Sequence, residues 1–292
     1  MRNIIFRLLC LCVPLMAASA IRADDSAARL PEIVVSPLRE EQPVGAYEQP
    51  EWTTERRFPT TRVYLQETPG DVGVEQWVKA QWPRDEKANF LFQEEGELGL
   101  PHRFQLDVYE NWARDEEGTI QQDSVSLELR YALADWGKLP LNPTLYGEWT
   151  FRNPDLGADK YEVKLLFGDE FAQRWHWGVN FAYEQETGDE LTREYAASEG
   201  VSYTVLDKKL SIGEEIKVES ETTKDDRHPI PLEVDVGPSV QWRPTPNTHL
   251  DVVPLIGVTS DSPLVESWIV FGVDFGGQKG GEAQAPVSLR SH

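Results

Sequence analysis

Trp175-His176-Trp177-Gly178-Val179-Asn180-Phe181-Ala182-Tyr183-Glu184 sets large apolar groups at every odd position and small or polar ones at every even position. A period of two puts alternate side chains on opposite faces of a strand. Val125, Leu127, Leu129, Tyr131 and Leu133 repeat the pattern against Ser124, Ser126, Glu128, Arg130 and Ala132. Tyr161, Val163, Leu165 and Phe167 repeat it against Glu162, Lys164, Leu166 and Gly168, and Val265 to Phe275 against Glu266 to Asp274. Phe104, Leu106, Val108 and Trp112 do so too, broken only by Glu110. No helical period competes over these stretches.

Working outward from them, about twelve strands are expected, near 73–82, 88–98, 102–113, 121–133, 143–151, 158–168, 174–186, 194–205, 208–220, 232–243, 247–258 and 264–275. Most have the length, about ten residues, with which a tilted strand crosses a bilayer. Connections alternate between short turns (Gly99-Leu100-Pro101, Leu206-Asp207-Lys208, Arg243 to Asn247) and longer charged ones (Arg114–Ile120, Arg152–Gly157, Thr187–Arg193, Glu221–Pro231). That is the asymmetry of a bacterial barrel. A soluble sandwich also alternates, so three features favour the membrane. Charge sits opposite the apolar row. Trp77, Trp82, Trp112, Trp149, Trp175 and Trp242 fall near strand ends, as membrane-interface girdles require. The chain also begins with an export signal.

That signal is Met1 to Ala20, with basic Arg2 and Arg7, apolar Leu8 to Met16 and the small-residue site Ala18-Ser19-Ala20; Ala23 offers a second site. Both cysteines, Cys10 and Cys12, lie inside it, which leaves no disulfide and no thiolate in the mature chain. Residues 21–70 carry Pro31, Pro37, Pro43, Pro50, Pro59 and Pro69 and read as an irregular periplasmic arm with one strand at Thr61–Glu67. Within it Glu32 to Pro37 resembles the short box by which outer-membrane receptors engage an energising partner. An ordinary exposed segment explains those six residues as well. Residues 71–275 read as the barrel and 276–292 as a disordered tail.

Over the 292 residues, 50 acids face 28 bases, a net charge of −22. Such a surface is unsuited to nucleic acid or anionic headgroups. After the signal, no apolar run is long enough for a spanning helix.

The segments Gly99–Trp112 (GLPHRFQLDVYENW), Tyr161–Trp177 and Gly237–Val258 resemble bacterial outer-membrane β-barrel proteins related to the family named after the MetA pathway of phenol degradation. The resemblance spans roughly residues 70–275. It implies a single-chain outer-membrane barrel associated with uptake of small compounds.

Enzymatic signatures are absent: no P-loop, no HExxH, no GxSxG and no dinucleotide fingerprint. Of His102, His176, His228, His249 and His292, none has a second histidine or cysteine at ligand spacing, so neither a metal nor a cofactor is expected. His176 is the best candidate for a lipid hydrolase, but its phase turns it to the lumen, whereas acyl chains lie outside. His228 and His249 read as loop and turn residues. Adjacent acids (Glu94-Glu95, Glu214-Glu215) point to opposite faces of a strand and make no poised pair.

The expected functional surface is the lumen. It is lined by Arg103, Asp107, Glu128, Arg130, Glu148, Glu162, Lys164, Glu184, Glu215, Lys217 and Asp274, and acids predominate. An open pore of this kind passes small solutes and favours cations. Two alternatives stay open, a non-conducting structural or interaction barrel and a barrel-embedded lipid hydrolase. The expected partners are outer-membrane lipid, the barrel insertion machinery and small solutes.

Overall fold

The computed structural model describes residues 41–114, 118–228 and 230–276; the signal sequence, the Glu32–Pro37 segment and the tail beyond Gly276 lie outside them. Twelve strands follow one another: β1 (Val72–Trp82), β2 (Asn89–Leu100), β3 (Phe104–Arg114), β4 (Ile120–Ala132), β5 (Thr144–Arg152), β6 (Lys160–Ala172), β7 (Trp175–Glu186), β8 (Arg193–Leu206), β9 (Leu210–Thr222), β10 (Glu233–Thr245), β11 (Thr248–Gly257) and β12 (Val265–Phe275). Each pairs antiparallel with the next, and β12 closes onto β1 from Phe275 opposite Val72 to Val265 opposite Trp82. Closure leaves no unpaired edge, which hydrocarbon would not tolerate. Each strand lies within four residues of its expected position.

The wall is inverted relative to a water-soluble protein. Val74, Val108, Leu129, Phe151, Val163, Ile212, Trp242 and Phe271 stand exposed on the outside, while Glu97, Asp107, Glu128, Arg130, Glu215 and Asp274 are buried inside. A belt of this kind is stable only against lipid. Trp82, Trp149, Trp175 and Trp242 belong to it, and Trp112 shares its outward phase. Trp77 does not. On β1 the outward phase is Val72, Val74, Gln76 and Val78, so Trp77 turns inward beside Glu75 and keeps 4% of its surface exposed. The expectation of an interfacial role for it is corrected.

The turns 101–103, 133–143, 173–174, 207–209 and 246–247 gather at the end where the chain joins β1 and leaves β12, here called the inner end. The opposite, outer end carries, among the described residues, 83–88, 118–119, 153–159, 187–192, 223–228, 230–232 and 258–264.

The arm departs most from expectation. Apart from a two-residue ladder, Pro43–Val44 with Gln49–Pro50, and a 3-10 turn at Glu51–Thr54, its described residues, 41–70, are irregular. Thr61–Glu67 forms no strand, because its backbone bonds to wall side chains instead of to a neighbouring chain. The arm's described residues fill the barrel instead of lying outside it: Trp52, Phe58, Tyr64 and Leu65 are almost wholly buried.

Candidate functional site: the plugged lumen

The arm is a loop inserted into the lumen from the inner end. Its first limb starts at Tyr47, whose hydroxyl accepts from the Arg103 amide at 2.8 Å and donates to the Leu100 carbonyl at 3.1 Å. Its second limb ends at Asp71, beside the β2 terminus, where Gly70 donates to the Gly99 carbonyl at 2.9 Å. Gln49 Nε2 ties the limbs together by donating to the Leu65 carbonyl at 2.6 Å. The apex, Pro59 to Arg62, reaches toward the outer half. Both limbs open to the same mouth, so the loop can withdraw without any strand parting.

Three contacts seat it. The first is a small apolar floor of Tyr47, Tyr64, Leu65 and Ala132, against which Val63 and Trp136 pack. Trp136 comes from the long inner turn 133–143 and meets Trp52 and Tyr64 edge-on, with ring centroids 5.8 and 5.2 Å apart. Burial, and then the Asp135 carboxylate, push the Tyr64 hydroxyl's pKa up, so it stays a donor, here to the Ala134 carbonyl at 2.8 Å.

The second contact is a glycine track. Gly168, Gly178 and Gly200 stand directly opposite one another on β6, β7 and β8. A Cβ on Gly178 would meet Val63 Cγ2 at 2.5 Å, and one on Gly200 would meet the Phe58 ring at 2.5 Å. Only a wall without side chains lets the arm approach so closely.

The third is charge. Arg56 reaches Glu75 at 2.8 Å, Glu97 at 2.9 Å and Glu95 at 3.6 Å. Gln66 Nε2 donates to Glu75 at 3.0 Å and to Glu97 at 2.8 Å. Arg57 binds Glu55 at 3.0 Å and the Ser211 hydroxyl. Arg62 reaches Glu95 at 3.1 Å and exchanges backbone bonds with the Asn180 amide at 2.7 and 2.8 Å. Burial lowers its pKa, but Glu95, Glu128, Glu75 and Glu97 together raise it well above the ordinary value, so it stays cationic. The Thr60 amide donates to Glu215 at 2.8 Å.

Above the apex lies a cavity of about 320 Å³. One side carries Trp77, Lys79, Lys217 and Trp268; the other carries Tyr146, Glu148, Glu162, Lys164, Glu184 and Glu194. Its cations have partners in the wall. Lys79 and Lys217 share Glu266 at 3.2 and 2.5 Å, Lys160 binds Glu184 at 2.9 Å, and Lys164 binds Glu162 at 2.7 Å.

Ten of the eleven charged positions read from the sequence face this interior. Asp107, Glu128, Arg130, Glu215, Lys217 and Asp274 are buried, and Glu148, Glu162, Lys164 and Glu184 line the cavity with Lys217. Arg103 is the exception. It stands at a φ of 65° in the turn before β3 and binds the Ala132 carbonyl and Asp135, because the strand starts one residue later. His249, expected in a turn, lies buried on β11 between Asp251 at 2.5 Å and Glu75 at 3.3 Å. His176 faces the lumen as expected, under the Trp52 ring at 4.6 Å, away from the lipid face. The arm's Arg56, Arg57 and Arg62 were not singled out from the sequence; a basic run opposite an acidic wall was the available signal.

No family model and no curated protein matches the chain. Among solved structures, an outer membrane channel from Pseudomonas putida F1 superposes with a TM-score of 0.53 at 9% identity, over 73% of this chain and 98% of that one. The fold is that of an outer-membrane β-barrel. The NanC porin (TM-score 0.48, 14% identity, 70% and 99% covered) and the KdgM porin (0.46, 11%, 70% and 98%) also align.

Proposed function

We propose that the protein is an outer-membrane channel for small polar solutes, held closed at its inner end by its own N-terminal arm. The observation that carries this is a closed barrel, lipid-compatible outside and charged inside, whose outer cavity ends on a loop with both limbs at the inner mouth. The inward charges set its selectivity, and the outward tryptophans anchor it at the interfaces. Lipid and the insertion machinery are its assembly partners, with kinship to the phenol-degradation barrels as the parsimonious ancestry. It acts by conduction, not catalysis. The filled inner half favours one alternative, a barrel that never conducts.

A tether separates the two. Thr61 Oγ1 and Ser198 Oγ lie 3.0 Å apart, and the mature sequence has no cysteine of its own. Thr61→Cys with Ser198→Cys pins the apex to β8 when oxidised. In planar bilayers the oxidised pair is expected to be silent and the reduced pair to conduct like wild type. Wild-type silence at all voltages and after mild urea treatment removes the channel and leaves the non-conducting barrel.

A further inference from the structure

The register of the barrel aligns its inward acids. Glu97 stands opposite Asp107, Asp107 opposite Glu128, and Glu128 opposite Glu148. Glu148 then faces Glu162, Glu162 faces Glu184, Glu184 faces Glu194, and Glu194 faces Glu221. The result is one unbroken row of carboxylates across β2 to β9. Because barrel strands are tilted and staggered, a row in register climbs the wall. This one begins three residues from the inner end of β2 and finishes one residue from the outer end of β9.

Directly opposed like charges repel, and a sheet normally avoids them. Seven such pairs in succession need compensation, and the wall supplies only part of it. Arg130 serves Asp107 and Glu128, Lys164 serves Glu162, and Lys160 serves Glu184. Glu148 receives the Tyr146 hydroxyl at 2.5 Å and the Thr150 hydroxyl at 2.9 Å. Among the described residues, Glu148, Glu194 and Glu221 form no close ion pair, and the nearby Lys160 and Lys164 are held by Glu184 and Glu162. A second observation shows what the row accepts. Its lowest step, Glu97, holds the guanidinium of Arg56, which is not part of the wall but is carried in by the arm. Beside it Arg62 occupies Glu95, and both guanidiniums lie over Trp77, at 4.8 and 5.2 Å from the ring centroid.

We propose that this carboxylate ramp is a binding track for organic cations bearing ammonium or guanidinium groups, and that Arg56 and Arg62 are tethered stand-ins at its foot. Solutes dock first on the upper steps that form no close ion pair, Glu148 and Glu194, which line the outer cavity. Withdrawal of the arm frees the lower ones. The inference names the solute class for the channel proposed above and rests on that reading for transit, though not for binding.

The test is calorimetric titration of the full chain in detergent with agmatine, which carries one guanidinium and one ammonium group, and with succinate as the anionic control. Glu162→Gln, Glu184→Gln and Glu194→Gln together are expected to weaken agmatine binding about tenfold or more. This variant relieves repulsion in the wall but removes the partners of Lys164 and Lys160, so Glu148→Gln with Glu194→Gln, which breaks no ion pair, is titrated beside it and should also weaken binding. Glu94→Gln, Glu110→Gln and Glu199→Gln remove the same net charge from outward positions and should leave binding unchanged. No agmatine binding by wild type, equal binding by the ramp variants, or equal loss in the outward variant overturns the proposal. Ramp-dependent binding with silent bilayers sinks the channel and keeps the track; conductance without agmatine binding does the reverse.

Discussion

The inner and outer halves of the lumen are built from the same strands with the same period, yet they are different environments. In the inner half much of the wall meets the arm: Glu75 and Glu97 meet Arg56 and Gln66, Glu215 meets Thr60, and the glycines of β6, β7 and β8 meet Val63 and Phe58. In the outer half the wall answers only itself, through short-range Lys–Glu pairs around an open cavity. An inward polar row therefore does not distinguish a plug from a pore. What distinguishes them is whether a second segment carries the complementary charge and the wall leaves room for it.

The largest expected effect is the contrast between one cation from each half. Arg56→Leu leaves Glu75 and Glu97 facing each other in a site where the arginine side chain is 2% exposed. Stranding buried charge costs about 3–5 kcal/mol. Lys164→Leu breaks the Lys164–Glu162 pair, whose partners are 22% and 15% exposed at the edge of the cavity. There water screens the orphan, and the loss should be about 1 kcal/mol or less. Urea unfolding midpoints in matched lipid vesicles measure both. Equal losses would erase the distinction between the halves.

Next in size is the glycine track. Gly178→Val puts atoms where Val63 and Thr61 already are, with Thr61 Cγ2 at 3.1 Å from the new Cβ, and overpacking of this kind costs about 1–3 kcal/mol. The arm is the softer partner, so it gives way first, and channel openings should become several-fold more frequent. Gly147→Val, on the outward face of β5 with nothing within 4 Å, is the control and should leave both stability and openings unchanged. A destabilised but silent Gly178→Val shows that the wall, not the arm, absorbs the strain.

The barrel was legible because its signal is local and repeated. Alternation along Trp175–Glu184 or Val265–Phe275 fixes which side chains face lipid without any knowledge of neighbouring strands. Trp77 was misread because the tryptophan was weighed by its nearness to a strand end and not by the phase of Val72, Val74 and Val78 around it. The arm was illegible for a different reason. Several of its contacts join residues more than a hundred positions apart, such as Trp52 to Glu170 and Thr60 to Glu215, through side chains in an irregular backbone that has no period to read. The carboxylate row falls between these cases. Asp107, Glu128, Glu148, Glu162 and Glu184 were visible as inward acids, whereas Glu97 and Glu194 were not singled out and Glu221 was read as part of a loop; the alignment itself depends on strand register, which turns and the bulge at Asn111/Trp112 decide. Of the track glycines, Gly168 and Gly178 were present in inward rows and Gly200 was not singled out; their coincidence was likewise a matter of register.

The smallest expected effect lies on the outside, where the comparison can be extended from lumen to lipid. Glu94 on β2 stands opposite Gln76 and Glu110, and all three point outward near the middle of their strands. Gln122 donates to Glu110 at 2.9 Å, and Gln76 to the Gln93 carbonyl at 3.1 Å. These bonds satisfy only some of the polar atoms that hydrocarbon would otherwise strand. Acids on a lipid face are unfavourable in a depth-dependent way, though less so than bases. Glu94→Leu with Glu110→Leu also removes a directly opposed like-charge pair. The double variant is expected to unfold at a slightly higher urea concentration than wild type, by a margin smaller than the Gly178→Val loss. A lower midpoint instead places this polar stripe in water or against a protein partner, and the lipid-facing belt then excludes the middle of β1 to β3.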